Sequence, residues 1–122
     1  MTENKKTVDA YMDAFRKTDR PRILECLTDD VEWWIPGMFD VKGKEAFNAH
    51  IVDPGFEGHP DIKVDRLVEE HDVVVAEGSV VAPRADGSHM NLVFCDVFEM
   101  RGGKIRRLVS YLMEVQSSAR NG

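Results

Sequence analysis

Apolar residues return at Val8, Tyr11, Met12 and Phe15 with charged residues between them, the spacing of a helix with one buried face over residues 5–17. Asp19 is placed to cap a second helix, and Pro21 suits its first turn. Ile23, Leu24 and Leu27 form its apolar side, and Thr28-Asp29-Asp30 is expected to end it. The period then changes to two. Val31, Trp33 and Ile35 alternate with Glu32 and Trp34 up to Pro36-Gly37, which predicts a brief strand with Trp33 facing in. A loop through Met38, Phe39 and Asp40 leads to a third helix over residues 43–53, packing Phe47 and Ile51 with His50 near the same face, until Pro54-Gly55 stops it.

The remainder reads as β-structure. Ile62, Val64 and Val68 alternate with Lys63, Asp65 and Glu69, and His71-Asp72 makes a tight turn into Val73-Val74-Val75, so the two runs predict a hairpin. The second strand runs through Ala76, Gly78 and Val80 to a turn containing Pro83, Asp86 and Gly87. A strand over residues 89–100 follows, then Gly102-Gly103 and a last strand over residues 104–115. Three helices followed by four long antiparallel strands predict an α+β domain, a curved sheet wrapped around helices on one face and enclosing a pocket.

One position breaks the pattern. Met90, Leu92, Phe94, Asp96, Phe98 and Met100 share a strand face, and Asp96 is its single carboxylate. A shift of register by one residue does not rescue it, because the other face carries Asn91, Val93, Cys95, Val97 and Glu99. An ion buried without a partner is costly, so this acid is expected to be paired or protonated, and a neutral acid in a dry wall can donate a hydrogen bond. Ala76 and Gly78, on the strand expected beside it, are small and predict a void. Ser110, sharing a parity with Leu108 and Leu112, adds a hydroxyl to an apolar lining.

A chain of 122 residues with 43% hydrophobic and 31% charged side chains fits a single domain over residues 1–122, with residues 117–122 expected to be a disordered tail. Its net charge of -6 argues against nucleic acid as a partner. No apolar run approaches the roughly 20 residues that span a bilayer. Two cysteines, Cys26 and Cys95, make no disulfide framework, and the N-terminal segment has no signal-type apolar core, so a cytoplasmic location is expected. The four His residues lack zinc spacing, and neither metal nor cofactor is expected.

In order and spacing, Thr28-Asp29-Asp30-Val31-Glu32-Trp33, His59-Pro60-Asp61-Ile62 and the run from Asp96-Val97-Phe98 through Gly102-Gly103-Lys104-Ile105 resemble the nuclear transport factor 2-like superfamily, especially its SnoaL-like branch. The resemblance covers nearly the whole chain. It implies a cone of three helices against a curved antiparallel sheet (a cystatin-like α+β roll), often dimeric through the outer face of the sheet. The superfamily hosts isomerases, cyclases, dehydratases, hydrolases and binders that catalyse nothing. Ketosteroid isomerase is the enzyme it resembles most, and the likeness puts that enzyme's oxyanion-hole tyrosine on Tyr11 and its oxyanion-hole aspartic acid on Asp96. In that enzyme an apolar site keeps the acid neutral so that it donates a hydrogen bond. Its proton-shuttling carboxylate falls on Ile35, before Pro36, so the base is not carried over. The Arg and two Asp of limonene-epoxide hydrolase fall on Gly78, Val80 and Ser110, and that mechanism is not carried over either. SnoaL-like cyclases need one acid/base group above an aromatic-lined pocket, a role open to Asp96.

The expected function is therefore proton transfer on a small hydrophobic, carbonyl-bearing substrate, as isomerase or cyclase. Tyr11 and Asp96 would donate to a developing enolate oxygen, and His50 would serve as the substitute base. The expected lining from the helices and first strand is Phe15, Trp33, Ile35 and Phe47. From the long strands it is Gly78, Phe94, Leu108, Ser110 and Leu112. Asp40, Asp53 and His59 are placed near the mouth, and Trp34 against a partner or under a loop. The rival reading is a ligand-binding or dimerisation module that kept the cavity and lost the base, favoured by Ile35. Val93, Cys95 and Val97 form an apolar outer patch that the second subunit of a homodimer would cover.

Overall fold

The computed structural model describes residues 1–52 and 54–116. Thr2 caps helix α1 (Glu3–Arg16), its side chain accepting from the Lys5 backbone N–H at 3.1 Å, and Glu3 and Arg16 suit the positive and negative ends of the helix. The apolar stripe buries Val8, Tyr11, Met12 and Ala14. Asp19 caps α2 (Arg20–Glu25) as its position in the sequence predicts. That helix is only six residues long. Leu27, Thr28, Asp29 and Asp30 belong instead to strand β1 (Leu27–Ile35), correcting the expected helix end. Ile105 N–H donates to the Cys26 carbonyl at 2.8 Å, which draws the chain into the sheet directly after the helix cap.

A second correction follows β1. Phe39 and Asp40 are not loop but open strand β2 (Phe39–Lys42), which pairs antiparallel with β1 through Trp34↔Asp40 and Ile35↔Phe39. The tight turn between them, with Gly37 at φ 84, brings the ladder round. Helix α3 (Lys44–Ala49) is shorter than the expected 43–53, with His50 at its C-terminal cap; Asp53 lies outside the described residues, as does the expected tail at 117–122.

The long strands are β3 (Asp61–Glu70), β4 (Val73–Pro83), β5 (His89–Arg101) and β6 (Lys104–Glu114). His71 and Asp72 join β3 to β4, both in the left-handed region at φ 48 and φ 61, the geometry of a primed two-residue hairpin turn. The sheet order is β2-β1-β6-β5-β4-β3, so the brief strand and four long strands expected become six with β2, and β1 runs parallel to β6. Periodicity marks β1 as a strand but says nothing of which edge it joins. Breaks in register between Leu27 and Glu32, Val64 and Arg66, and Glu99 and Met100 add twist, and the sheet curls around α1 and α3.

The core fills the concave side. Phe47, Phe98, Ile23, Leu27, Ile105 and Leu108 are fully buried, each contributing about 1.5–3 kcal/mol by burial. One aromatic chain runs through it: Tyr11 sits edge-on to Phe98 at 5.5 Å, Phe15 to Trp33 at 6.2 Å, and Trp33 stacks on Phe47 at 4.3 Å and 23°. This cluster holds α1, α3 and β1 in register beneath the open end of the sheet. Among the described residues, no helix is long and apolar enough to cross a membrane.

Candidate functional site

Between the helices and the curled sheet lies a cavity of about 420 Å³. Tyr11, Met12 and Phe15 of α1, Trp33 and Ile35 of β1, and Phe39 of β2 form one side. Phe94 and Asp96 of β5 and Ser110 and Leu112 of β6 form the other. His50, Phe56 and Glu114 stand among the remaining lining residues. Its walls are almost wholly apolar, with a few convergent polar groups, which is the usual build of a small-molecule pocket.

Asp96 is 8% exposed. Its strand neighbours are Ala76 on β4 and Ser110 on β6, so neither side of the ladder offers a cation. Loss of water pushes its carboxyl from the usual 3.8 up to about 7, with the Ser110 hydroxyl bond opposing the rise. Oδ1 is shut off from solvent and has no hydrogen-bond partner among the described residues. Such an oxygen calls for a donor. Ser110 Oγ in turn accepts from Trp33 Nε1 at 3.1 Å.

Tyr11 is 3% exposed, and burial first, then the nearby Asp96 charge, raises its phenol well above the ordinary value. It therefore keeps its proton and is available as a donor. No hydrogen bond joins Tyr11 to Asp96 among the described residues, so the expected pairing is a shared cavity rather than a direct contact. His50 lies at the rim with its ring 4.4 Å from Phe39. Its Nδ1 is 2.9 Å from the Ala46 carbonyl oxygen. A carbonyl only accepts, so Nδ1 carries the hydrogen of this bond and Nε2 is the ring nitrogen left to exchange a proton.

Of the expected lining, Phe15, Trp33, Ile35, Phe94, Ser110 and Leu112 reach the cavity, while Phe47, Gly78 and Leu108 do not. Phe47 lies stacked against Trp33, and Leu108 on β6 sits opposite Phe98, both with no exposure. The void expected at Gly78 is filled: a Cβ there would collide with the Lys63 carbonyl oxygen and lie 2.9 Å from the Phe94 ring. The small residue serves a close approach of strands at the β3 bulge and leaves room for the Phe94 ring. Asp40 pairs in β2, and His59 bonds the Thr18 hydroxyl at 2.9 Å; neither lines the cavity. Trp34, 37% exposed, faces the outer side of the sheet.

Met90, Leu92, Val80 and Ile62 line the cavity and were not expected to, although strand parity places the first two on the Asp96 face. Phe39 and Phe56 carried no sequence signal, because a short hairpin and a loop bring them in. Phe56 is held there by an isolated bridge to Arg84. Among the described residues, no group of three or more His, Cys, Asp or Glu side chains could hold a metal ion.

A three-helix cone over a dry pocket, closed by an open six-stranded curled sheet, defines an NTF2-like α+β protein. The chain belongs to the SnoaL-like domain family, whose model matches residues 8–108. An NTF2-like protein of unknown function from Burkholderia pseudomallei K96243 superposes with a TM-score of 0.83 at 21% identity, covering 93% of this chain and 92% of that one. A candidate polyketide cyclase from Xanthomonas campestris pv. campestris gives a TM-score of 0.80 at 22% identity over 89% of each chain. An LEH-like epoxide hydrolase from M. tuberculosis gives 0.80 at 20% identity, covering 91% of this chain and 83% of that one. No curated protein matches the sequence at a significant level. At these identities the structural neighbours share the fold, and the site must speak for the chemistry.

Proposed function

We propose that the protein is an enzyme acting on a small hydrophobic, carbonyl-bearing molecule by proton transfer, as an isomerase or cyclase. The observation that supports this reading best is Asp96, a carboxyl with no cation beside it in the wall of an apolar cavity, whose midpoint near 7 suits giving and taking a proton at neutral pH. Tyr11, kept protonated, donates to the carbonyl oxygen as enolate charge develops. Asp96 exchanges the proton at the adjacent carbon, and His50 Nε2 at the rim carries it onward. A structural neighbour being a candidate polyketide cyclase is in keeping with this class of reaction.

An aromatic phenol tests the site, since its phenolate mimics the enolate. Titration with 2-naphthol, followed by its own fluorescence, is expected to show binding that weakens about tenfold or more in Tyr11→Phe. Unchanged affinity in that variant would remove the oxyanion site.

The second reading is a binding module without catalysis. Ile35 favours it, since this apolar side chain lines the cavity where the resemblance to ketosteroid isomerase would put a carboxylate. Deuterium uptake at the α-carbon of a cyclic enone in heavy water separates the two: the enzyme speeds the exchange, the module leaves it at the solution rate.

A homodimer is part of the proposal. Val93, Cys95 and Val97 are half-buried on the outer sheet face, and exposed Tyr111 and Met113 pair beside Cys95 and Val93. Sedimentation equilibrium would show twice the 13.8 kDa chain mass. A reducing compartment is proposed from the two free cysteines.

A further inference from the structure

We propose that Trp33 is a positioning residue for Asp96, acting through the Ser110 hydroxyl: the indole donates to Ser110, which commits the single hydroxyl proton of Ser110 to the Asp96 carboxyl. The inference rests on the reading of Asp96 as the acid/base group.

Three side chains from three strands meet to make it. Register places Ser110 directly opposite Asp96 on one side of β6, and β1 brings Trp33 alongside on the other, opposite Leu108. Trp33 Nε1 lies 3.1 Å from Ser110 Oγ in a buried contact. An indole N–H can only donate, so Ser110 must accept with a lone pair. A serine hydroxyl has one proton, and that proton is then free to point at the carboxyl across the ladder, where it favours the ionised form.

The indole itself is immobile. It stacks on Phe47 at 4.3 Å and meets Phe39 edge-on at 5.0 Å and Phe15 at 6.2 Å. The ring is therefore both cavity wall and anchor for the polar chain, and turning the hydroxyl hydrogen toward the indole would leave Trp33 Nε1 unpaired in a buried contact. No other side chain has a hydrogen bond or charge that shifts Asp96, so its balance between acid and base depends on this one hydroxyl and on burial. Tyr11 and His50 share the cavity but neither bonds the carboxyl.

Nuclear magnetic resonance of the native chain reads the relay without a substrate. Asp96 is followed by its carboxyl carbon, assigned with Asp96→Asn, and the two indole N–H signals are assigned with Trp34→Phe. The Trp33 signal is expected to move with pH at the same midpoint as Asp96, while the Trp34 signal, outside the sheet, stays still. In Ser110→Ala the Asp96 midpoint is expected to rise, a proton affinity increased about tenfold, and the Trp33 signal to stop moving. Ser110→Thr, which keeps the hydroxyl, is expected to restore both.

A Trp33 signal that stays flat while Asp96 titrates overturns the relay, wherever the Asp96 midpoint falls. An Asp96 midpoint unmoved in a folded Ser110→Ala protein overturns it as well. Failure of the acid/base reading shows separately, as deuterium uptake by the cyclic enone that is as fast in Asp96→Asn as in the parent.

Discussion

Asp96 faces Ala76 across the β4 and β5 ladder, a carboxyl opposite a single methyl group. Had position 76 carried Lys or Arg, the acid would be an ion pair and ionised throughout. With a methyl there, burial decides, and its carboxyl holds its proton up to about pH 7.

That raised midpoint makes stability depend on pH. Between the unfolded value near 3.8 and the folded value of about 7, the native state binds more protons than the unfolded one, so stability falls as pH rises. The contribution is complete below pH 3.8 and is lost as pH passes about 7, on the order of 4 kcal/mol at most at roughly 1.4 kcal/mol per pH unit. Asp96→Asn removes the charge and keeps the shape. It is expected to be more stable than the parent at pH 8 by on the order of 4 kcal/mol and at pH 5 by less than half of that, as read by urea midpoints at both. A difference independent of pH would refute the assignment.

Gly78 is the position least able to accept a side chain. Gly78→Ala drives a methyl group into the backbone carbonyl of Lys63 and toward Phe94, and neither strand can retreat without opening the bulge. A loss of about 3 kcal/mol or more is expected in chemical denaturation, beyond ordinary overpacking. Ala76→Gly, two positions along the same strand, should cost only about 1 kcal/mol.

The two tryptophans report on opposite faces of the sheet. Trp33, 5% exposed, is expected to change emission when an apolar ligand fills the cavity and to resist acrylamide; Trp34, 37% exposed, does the reverse. Trp34→Phe leaves the ligand response intact, and a response lost with Trp34 would place the ligand on the outer face instead.

Thr2 closes the first turn of α1 and also reaches Glu69. Thr2→Ala should lower stability by about 1 kcal/mol, the usual worth of an N-cap, while Thr2→Asp retains the cap but sets a second carboxylate against Glu69. Both are expected to leave 2-naphthol binding unchanged, because the cap stands away from the cavity lining.

Short-range chemistry was written plainly along the chain. The stripe of α1, the Asp19 cap, the His71-Asp72 turn and the alternation around Asp96 follow from neighbours a few residues apart, and each occurs where the spacing puts it. Leu27 to Asp30 misled because the chain leaves the helix through a hydrogen bond from Ile105, which no local pattern carries. The small residue at 78 misled for a related reason, since whether it opens a void or admits a neighbour depends on the strand beyond it.

The sequence alone determined that a lone acid stands on an apolar strand face, and that helices precede a sheet able to curl. Periodicity requires nothing more than the fixed rise and turn of the backbone. Only the tertiary structure decided that β1 joins β6 in parallel, that Trp33 thereby meets Ser110, and that Phe39 and Phe56 close the pocket. Those contacts join residues as far as 77 positions apart, as between Trp33 and Ser110, and their geometry is set by which strand edges pair when the whole core packs.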